Sequence, residues 1–172
     1  MCNIRKKARD ARKNIDKKLH YAFSQKICQK IQQFITDKNV IMLYNAIDGE
    51  VDVKELKKIP DKTFLFPRVE GEKMIAVKSD RFFEGSYGIT EPIGEEYRGT
   101  IDAVIVPLCA FDDNCNRLGF GKGYYDRFLN NKNCLKIGAA FSCQKTNEIE
   151  IKETDIKMDV IITEKEILES VK

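Results

Sequence analysis

From Ile4 to about Ile35 apolar residues recur every three to four positions: Ile4, Ala8, Ala11, Ile15, Leu19, Phe23, Ile27, Ile31 and Phe34, with lysine and arginine between them. That spacing matches the helical repeat and predicts one or two amphipathic helices. Val40–Tyr44 is an apolar run of strand length, closed by the turn-forming pair Asp48-Gly49. Val51–Lys58 reads as a short helix stopped before Pro60, Thr63–Phe66 as a strand, and Lys73–Lys78 as an alternating strand. Residues 79–100 read as loop, centred on Tyr87-Gly88-Ile89-Thr90-Glu91-Pro92. Ile101–Pro107 is the strongest candidate for a strand buried on both faces, because it is almost continuously apolar. A glycine-rich loop follows, then a helix over about Tyr124–Asn131, apolar strands at Leu135–Phe141 and Asp159–Thr163, and a closing helix over Glu164–Val171 with its acids early. Strands alternating with helices predict an α/β fold, a single domain over residues 1–172 with a mainly parallel sheet flanked by helices.

Composition narrows the class. A chain of 172 residues, 42% hydrophobic and 33% charged, is long enough and apolar enough to bury a core without disulfide or metal staples. No apolar run reaches the roughly 18–20 residues of a membrane span. The first residues, MCNIRKKARDARKN, carry no apolar export segment, so a cytoplasmic protein with no membrane partner is expected. Six cysteines, with no C-x-x-C, then read as reduced thiols, several of them core filler.

Charge and residue inventory narrow the chemistry. Residues 1–40 hold 11 Lys/Arg against 3 Asp/Glu, a basic head on a mildly acidic body, which suggests an anionic partner. The chain has one histidine, His20, and no tryptophan. A Ser–His or Cys–His pair or a multi-histidine metal site must use His20 or not exist. His20 itself reads as an incidental residue of the helix surface, and Cys109 as a small core residue, not a nucleophile.

Three of the ten glycines fall within five residues, in Arg117-Leu118-Gly119-Phe120-Gly121-Lys122-Gly123-Tyr124-Tyr125-Asp126. Placed between a buried strand and a helix, glycines at alternate positions let backbone N–H groups converge on anionic oxygens, with Arg117 and Lys122 adding full charges. The spacing is neither a Walker A loop nor a dinucleotide fingerprint. Geometry alone would also explain such glycines in a tight turn, but the flanking cations favour a phosphate cradle.

The segment Pro107-Leu-Cys-Ala-Phe-Asp112 followed by Asn116-Arg-Leu-Gly-Phe-Gly-Lys-Gly-Tyr-Tyr-Asp-Arg-Phe-Leu129 resembles the 5-formyltetrahydrofolate cyclo-ligase (5,10-methenyltetrahydrofolate synthetase) family. Further similarity runs in the family's order through Arg5-Lys-Lys-Ala-Arg9, Tyr44 with Gly49-Glu-Val-Asp52, Phe66-Pro-Arg68, Tyr87–Pro92, Lys136–Phe141 with Gln144, and Asp155 with Asp159–Thr163. The resemblance implies a NagB/RpiA/CoA-transferase-like α/β fold and an ATP- and Mg²⁺-dependent closure of 5-formyltetrahydrofolate to 5,10-methenyltetrahydrofolate, releasing ADP and phosphate. It implies ATP contacts from Arg5, Lys6, Lys7, Ala8 and Arg9 and from Arg117, Leu118, Gly119, Phe120, Gly121, Lys122, Gly123, Tyr124 and Tyr125. It implies folate contacts from Arg9, Asn45, Glu50, Phe120, Gly121, Lys122, Gly123 and Tyr124, and Mg²⁺ held by Asp126 and Asp155. Arg5 stands where the family often has lysine, and Thr154 where it often has histidine. Small-molecule substrates, a monomer and no nucleic-acid partner are expected.

Two other readings compete. A sugar-phosphate isomerase or CoA transferase would keep the fold but needs a base or glutamate nucleophile in a distinct motif, and none stands out. A nucleic-acid module using the basic head would bind in a salt-dependent way without ATP, yet residues 1–18 lack interleaved aromatic platforms.

Overall fold

The computed structural model describes residues 2–85 and 90–171. The N-terminal periodicity resolves into two helices, α1 (Cys2–Lys13) and α2 (Lys17–Phe34). The break falls at Asp16, which caps α2 by accepting the Lys18 and Leu19 N–H groups, answering donors that a helix start leaves open. Among the described residues no helix is long and apolar enough to cross a membrane.

The strands are β1 (Val40–Met42), β2 (Thr63–Glu70), β3 (Lys73–Val77), β4 (Phe82–Glu84), β5 (Thr90–Pro92), β6 (Ala103–Pro107), β7 (Ala110–Phe111), β8 (Arg117–Leu118), β9 (Leu135–Ala139), β10 (Val160–Ile162) and β11 (Ile167–Glu169), with α3 (Tyr124–Leu129) after β8. Seven of them form one sheet in the order β11-β10-β9-β6-β1-β2-β3. Pairings from β10 through β2 are parallel, and only the two edges, β11 and β3, run antiparallel. The mainly parallel α/β sheet is therefore as the sequence predicts.

Strand alternation sorts the side chains into two cores. Ile41, Leu43, Ile105, Ile137 and Ile162 pack with Ile27, Ile31 and Ile35 of the α2 segment. Met42, Val104, Val106 and Ile161 face the other way, toward Leu129 and the ring of Phe128 from α3. With both faces covered, the near-continuous apolar run of β6 has its physical cause.

Three expectations need correction. Glu164–Val171 is not a helix: Thr163 Oγ1 accepts the Lys165 and Glu166 N–H groups, and this turn sends the chain back as β11 against β10. Its early acid, Glu164, is buried and receives the Ser142 N–H at 2.9 Å, so it is not a helix-dipole partner. The 79–100 segment contains the β4–β5 hairpin, with Phe82 opposite Pro92; Tyr87, Gly88 and Ile89 of its central motif lie outside the described residues. The 51–58 helix is a shorter 3₁₀ turn, Lys54–Lys58.

Candidate active site

The order of strands reverses between β1 and β6, so the loops leaving their carboxyl ends diverge there and open a crevice. After β1 come Asn45, Asp48 and Glu50; after β6 come Leu108, the short β7–β8 hairpin and the glycine loop that enters α3. Helix α1 lies across this opening, with Arg5, Ala8, Arg9 and Arg12 on one stripe three to four residues apart.

In the glycine loop, Gly121 has φ 97° and Gly123 has φ 67°, left-handed conformations that side chains rarely take. Gly123 is also the residue that caps α3. A β-carbon on Gly121 would stand 3.6 Å from the Arg5 guanidinium carbon, so the loop and that cation are adjacent. Arg5 Nε donates to the Gly119 carbonyl at 2.8 Å. Lys122 is exposed and has no carboxylate partner among the described residues, whereas its carbonyl accepts from Arg127 at 2.9 Å. Phe120 is 43% exposed, an unusual setting for a phenyl ring, and it covers the guanidinium groups of Arg9 and Arg12 at 5.4 and 5.7 Å from its centroid.

The other predicted residues divide between the crevice and the packing behind it. Ala8 and Leu118 are buried together in a small apolar cluster with Ala110, so they support the loop with their side chains and can offer a ligand only backbone. Lys6 and Lys7 are exposed on α1. Tyr124 donates its hydroxyl to the Gly71 carbonyl at 3.3 Å, toward the β2–β3 turn. Tyr125 faces inward: burial, then the charge of Glu50, pushes its phenol well above the ordinary range. The Asn45 amide donates to the Thr90 carbonyl at 2.8 Å, tying the β1 loop to β5.

Asp126 and the segment that carries Asp155 meet after the loop. Asp126 Oδ1 accepts from Arg117 Nη2 at 2.8 Å and from the Ile156 N–H at 3.1 Å. Because Ile156 follows Asp155, this second bond brings the Asp155 segment against Asp126. Asp155 lines a cleft with Arg117, Asn116 and Ile149, and its Oδ2 accepts the Lys152 N–H at 2.9 Å. Asp126 Oδ2 and Asp155 Oδ1 have no protein donor among the described residues, and Arg117 Nε is a buried donor with no partner. No group of three or more potential ligands would enclose an ion among those residues. Two hard oxygens, with further positions left for phosphate and water, fit the way Mg²⁺ is held.

Glu50 is 4% exposed, and burial pushes its carboxyl up to about 7, although the Ile47 N–H and the Arg12 charge pull the other way. Oε2 receives the Ile47 N–H at 3.0 Å; Oε1 is buried with no donor among the described residues. Neighbouring Asp48 shows the opposite balance. Its burial is outweighed by hydrogen bonds from Arg9, at 2.5 Å, and from Lys13, which hold its carboxyl down at about 2.

Sequence reasoning missed Arg12, Asp48 and His20 as site residues. Arg12 was detectable by its spacing, four positions after Ala8, the other buried residue of α1. His20 is not incidental: its Nε2 donates to the Glu50 carbonyl at 2.9 Å and its ring packs 5.0 Å from that of Phe141. Cys109 is fully buried, and burial raises its thiol, in keeping with a core residue.

Comparison with known proteins identifies the family. The 5-formyltetrahydrofolate cyclo-ligase from Mycoplasma pneumoniae is 34% identical over 149 residues, covering 81% of this chain and 84% of its own length. The protein of the same description from Haemophilus influenzae is 26% identical over 178 residues, covering 92% and 95%. Among solved structures, the NMR structure of Aquifex aeolicus 5,10-methenyltetrahydrofolate synthetase superposes with a TM-score of 0.85 at 32% identity, covering 98% of this chain and 91% of that one. The Mycoplasma pneumoniae synthetase structure gives 0.77 at 30% identity, covering 95% and 98%. The family model described as 5-formyltetrahydrofolate cyclo-ligase matches residues 2–164, nearly the full length of the fold and every residue of the crevice, and the chain belongs to that family.

Proposed function

We propose that this chain, as a single catalytic domain acting as a cytoplasmic monomer, converts 5-formyltetrahydrofolate and ATP to 5,10-methenyltetrahydrofolate, ADP and phosphate. The observation that carries the reading is the junction of two unlike half-sites at one crevice. Glycine-loop amides and Arg5 suit a polyphosphate, while a dry carboxylate with an unpaired oxygen, Glu50, suits the N–H groups of a pterin. The formyl oxygen attacks the γ-phosphorus and the bond to the β-phosphate oxygen breaks, releasing ADP. The N10 lone pair then attacks the activated formyl carbon, the carbon–oxygen bond breaks as phosphate leaves, and N10 gives up its proton.

Nucleophile and electrophile both belong to the ligands, so the protein has to align them and neutralise charge, and the lack of a catalytic histidine follows. Asp126 and Asp155 would hold Mg²⁺, which supplies charge neutralisation on the phosphate oxygens. Arg117 holds Asp126 in place and lines the same cleft, with its Nε left without a partner among the described residues. Arg5, bonded to the Gly119 carbonyl, and Lys122, within the loop, would add positive charge beside the phosphates. Phe120, Arg9 and Asn45 would wall the folate side.

The test is direct. Protein, ATP, Mg²⁺ and 5-formyltetrahydrofolate should together generate the methenyl chromophore, excess EDTA should stop its growth, and added Mg²⁺ should restore it. No chromophore under these conditions would refute the assignment. Lys122→Ala should raise the KM for ATP about tenfold through loss of one charged phosphate contact while leaving the unfolding temperature unchanged, because that side chain is exposed. An unchanged KM would remove Lys122 from the nucleotide site.

A further inference from the structure

The most deeply buried charge in the site belongs to a side chain the nucleotide loop does not bond. Arg12 has a fully buried side chain, and a buried guanidinium is costly unless its donors are answered. Here the answers come from two distant parts of the chain. Nε donates to the Asp48 carbonyl at 2.9 Å, Nη2 to the Asp48 carboxylate at 3.3 Å, and Nη1 to the Leu108 carbonyl at 3.0 Å. Residues 48–50 follow β1 and Leu108 follows β6, so one fork ties together the two loops that diverge where the strand order reverses. The Leu108 anchor is itself fixed, since Gln144 Nε2 donates to the same carbonyl at 2.8 Å. One contact stays open: Arg12 Nη2 lies 3.8 Å from Glu50 Oε1, beyond hydrogen-bond range, and that oxygen is buried without a donor among the described residues.

We propose that Arg12 is a positioning residue, clamping the 48–50 turn to the end of β6 so that Glu50 Oε1 is held open for an N–H donor of the folate; the inference rests on the cyclo-ligase reading above. An ammonium offers a point charge on a flexible stem and cannot reproduce the three directed bonds of the fork. The other charged or titratable groups facing Glu50 are Arg9 from α1, Asp48 in its own turn, Tyr44 after β1, Cys109 after β6, Tyr125 from α3, and His20 from α2 on its carbonyl. Among them Arg12 alone joins the turn to β6.

The test is a double-mutant cycle on the full chain with Arg12→Lys, Glu50→Gln and the pair. Arg12→Lys should raise the KM for 5-formyltetrahydrofolate at least tenfold while the KM for MgATP moves less than threefold. If Arg12 acts through Glu50, the double variant should be no worse than Glu50→Gln alone. Additive losses, or an equal rise in both KM values, would overturn the proposal. Should Arg12→Lys fail to fold, Asp48→Asn is expected to show the same folate-selective rise, with the same contrary results. Wild-type protein inert toward 5-formyltetrahydrofolate would refute the functional reading instead. Independently of turnover, a ¹³C NMR titration of the glutamate carboxyls in ligand-free protein should show the Glu50 midpoint move upward in Arg12→Gln, through loss of the neighbouring cation. An unmoved midpoint would contradict a clamp that sets the Glu50 environment.

Discussion

Asp126→Asn is expected to lower turnover about a thousandfold, a loss typical of removing a group that stabilises transition-state charge, with little change in unfolding temperature. Asp126→Ala is expected to lose as much activity and in addition to cost about 3 kcal/mol of stability. The two differ because Asp126 Oδ1 has a second duty, accepting from Arg117 and from the Ile156 N–H. An asparagine oxygen can keep those bonds while giving up the charge; alanine leaves the Arg117 guanidinium, whose side chain is 4% exposed, without its counter-ion. Thermal melts beside steady-state rates separate the roles. Parent-like turnover in Asp126→Asn would remove the carboxylate from phosphoryl transfer.

For Glu50→Gln the expected signs are opposed: weaker substrate use and a more stable protein. Losing a charged hydrogen bond to the pterin should raise the KM for 5-formyltetrahydrofolate on the order of 10–100-fold. Stability should move the other way because burial holds the Glu50 carboxyl at about 7, above its ordinary value of 4.5. The folded state therefore keeps the proton more tightly than the unfolded chain, and the Glu50 contribution to stability is full below about 4.5 and lost as the pH rises toward 7. Deleting the charge should stabilise the protein by about 1–3 kcal/mol at pH 8 and give no advantage at pH 4.5. Asp48 has the opposite dependence, contributing above its ordinary 3.8 and losing that contribution as the pH falls toward 2, so it does not mimic this signature. Urea unfolding of parent and variant at both pH values measures the difference. A Glu50→Gln protein less stable than the parent at pH 8 would mean that the carboxylate is an ordinary structural acid.

What the sequence discloses of this fold follows the range of the interactions involved. β6 is legible because a strand buried on both faces must be apolar throughout, and the α1–α2 region because its repeat is helical, whereas the break into two helices rests on the Asp16 cap seen in the structure. The closing segment misleads because Ile167, Leu168 and Val171 have helix-compatible spacing. Its true state depends on a turn at Thr163 and on pairing with β10, which local preference does not encode. The glycine loop declares its chemistry locally, through Gly121, Gly123 and their flanking cations. The clamp behind it does not. Burying Arg12 is tolerable only because the carbonyls of Asp48 and Leu108, 36 and 96 residues away, converge on it, and His20 joins the site through the Glu50 carbonyl, 30 residues on. Family resemblance supplies site residues by position, but does not distinguish Ala8 and Leu118, which are buried behind the loop, from Arg5, which bonds the Gly119 carbonyl, and Lys122, which is exposed.

The central claim is that the Gly119–Gly123 amides close around the phosphates of ATP. The most direct measurement is a ¹⁵N–¹H correlation spectrum of the protein titrated with Mg²⁺ and a non-hydrolysable ATP analogue. The Gly119, Gly121 and Gly123 cross-peaks are expected to shift downfield and saturate with the same dissociation constant as the heat of binding. Saturable heat with those three amides unmoved would contradict it, because the triphosphate would then be bound somewhere else on the protein.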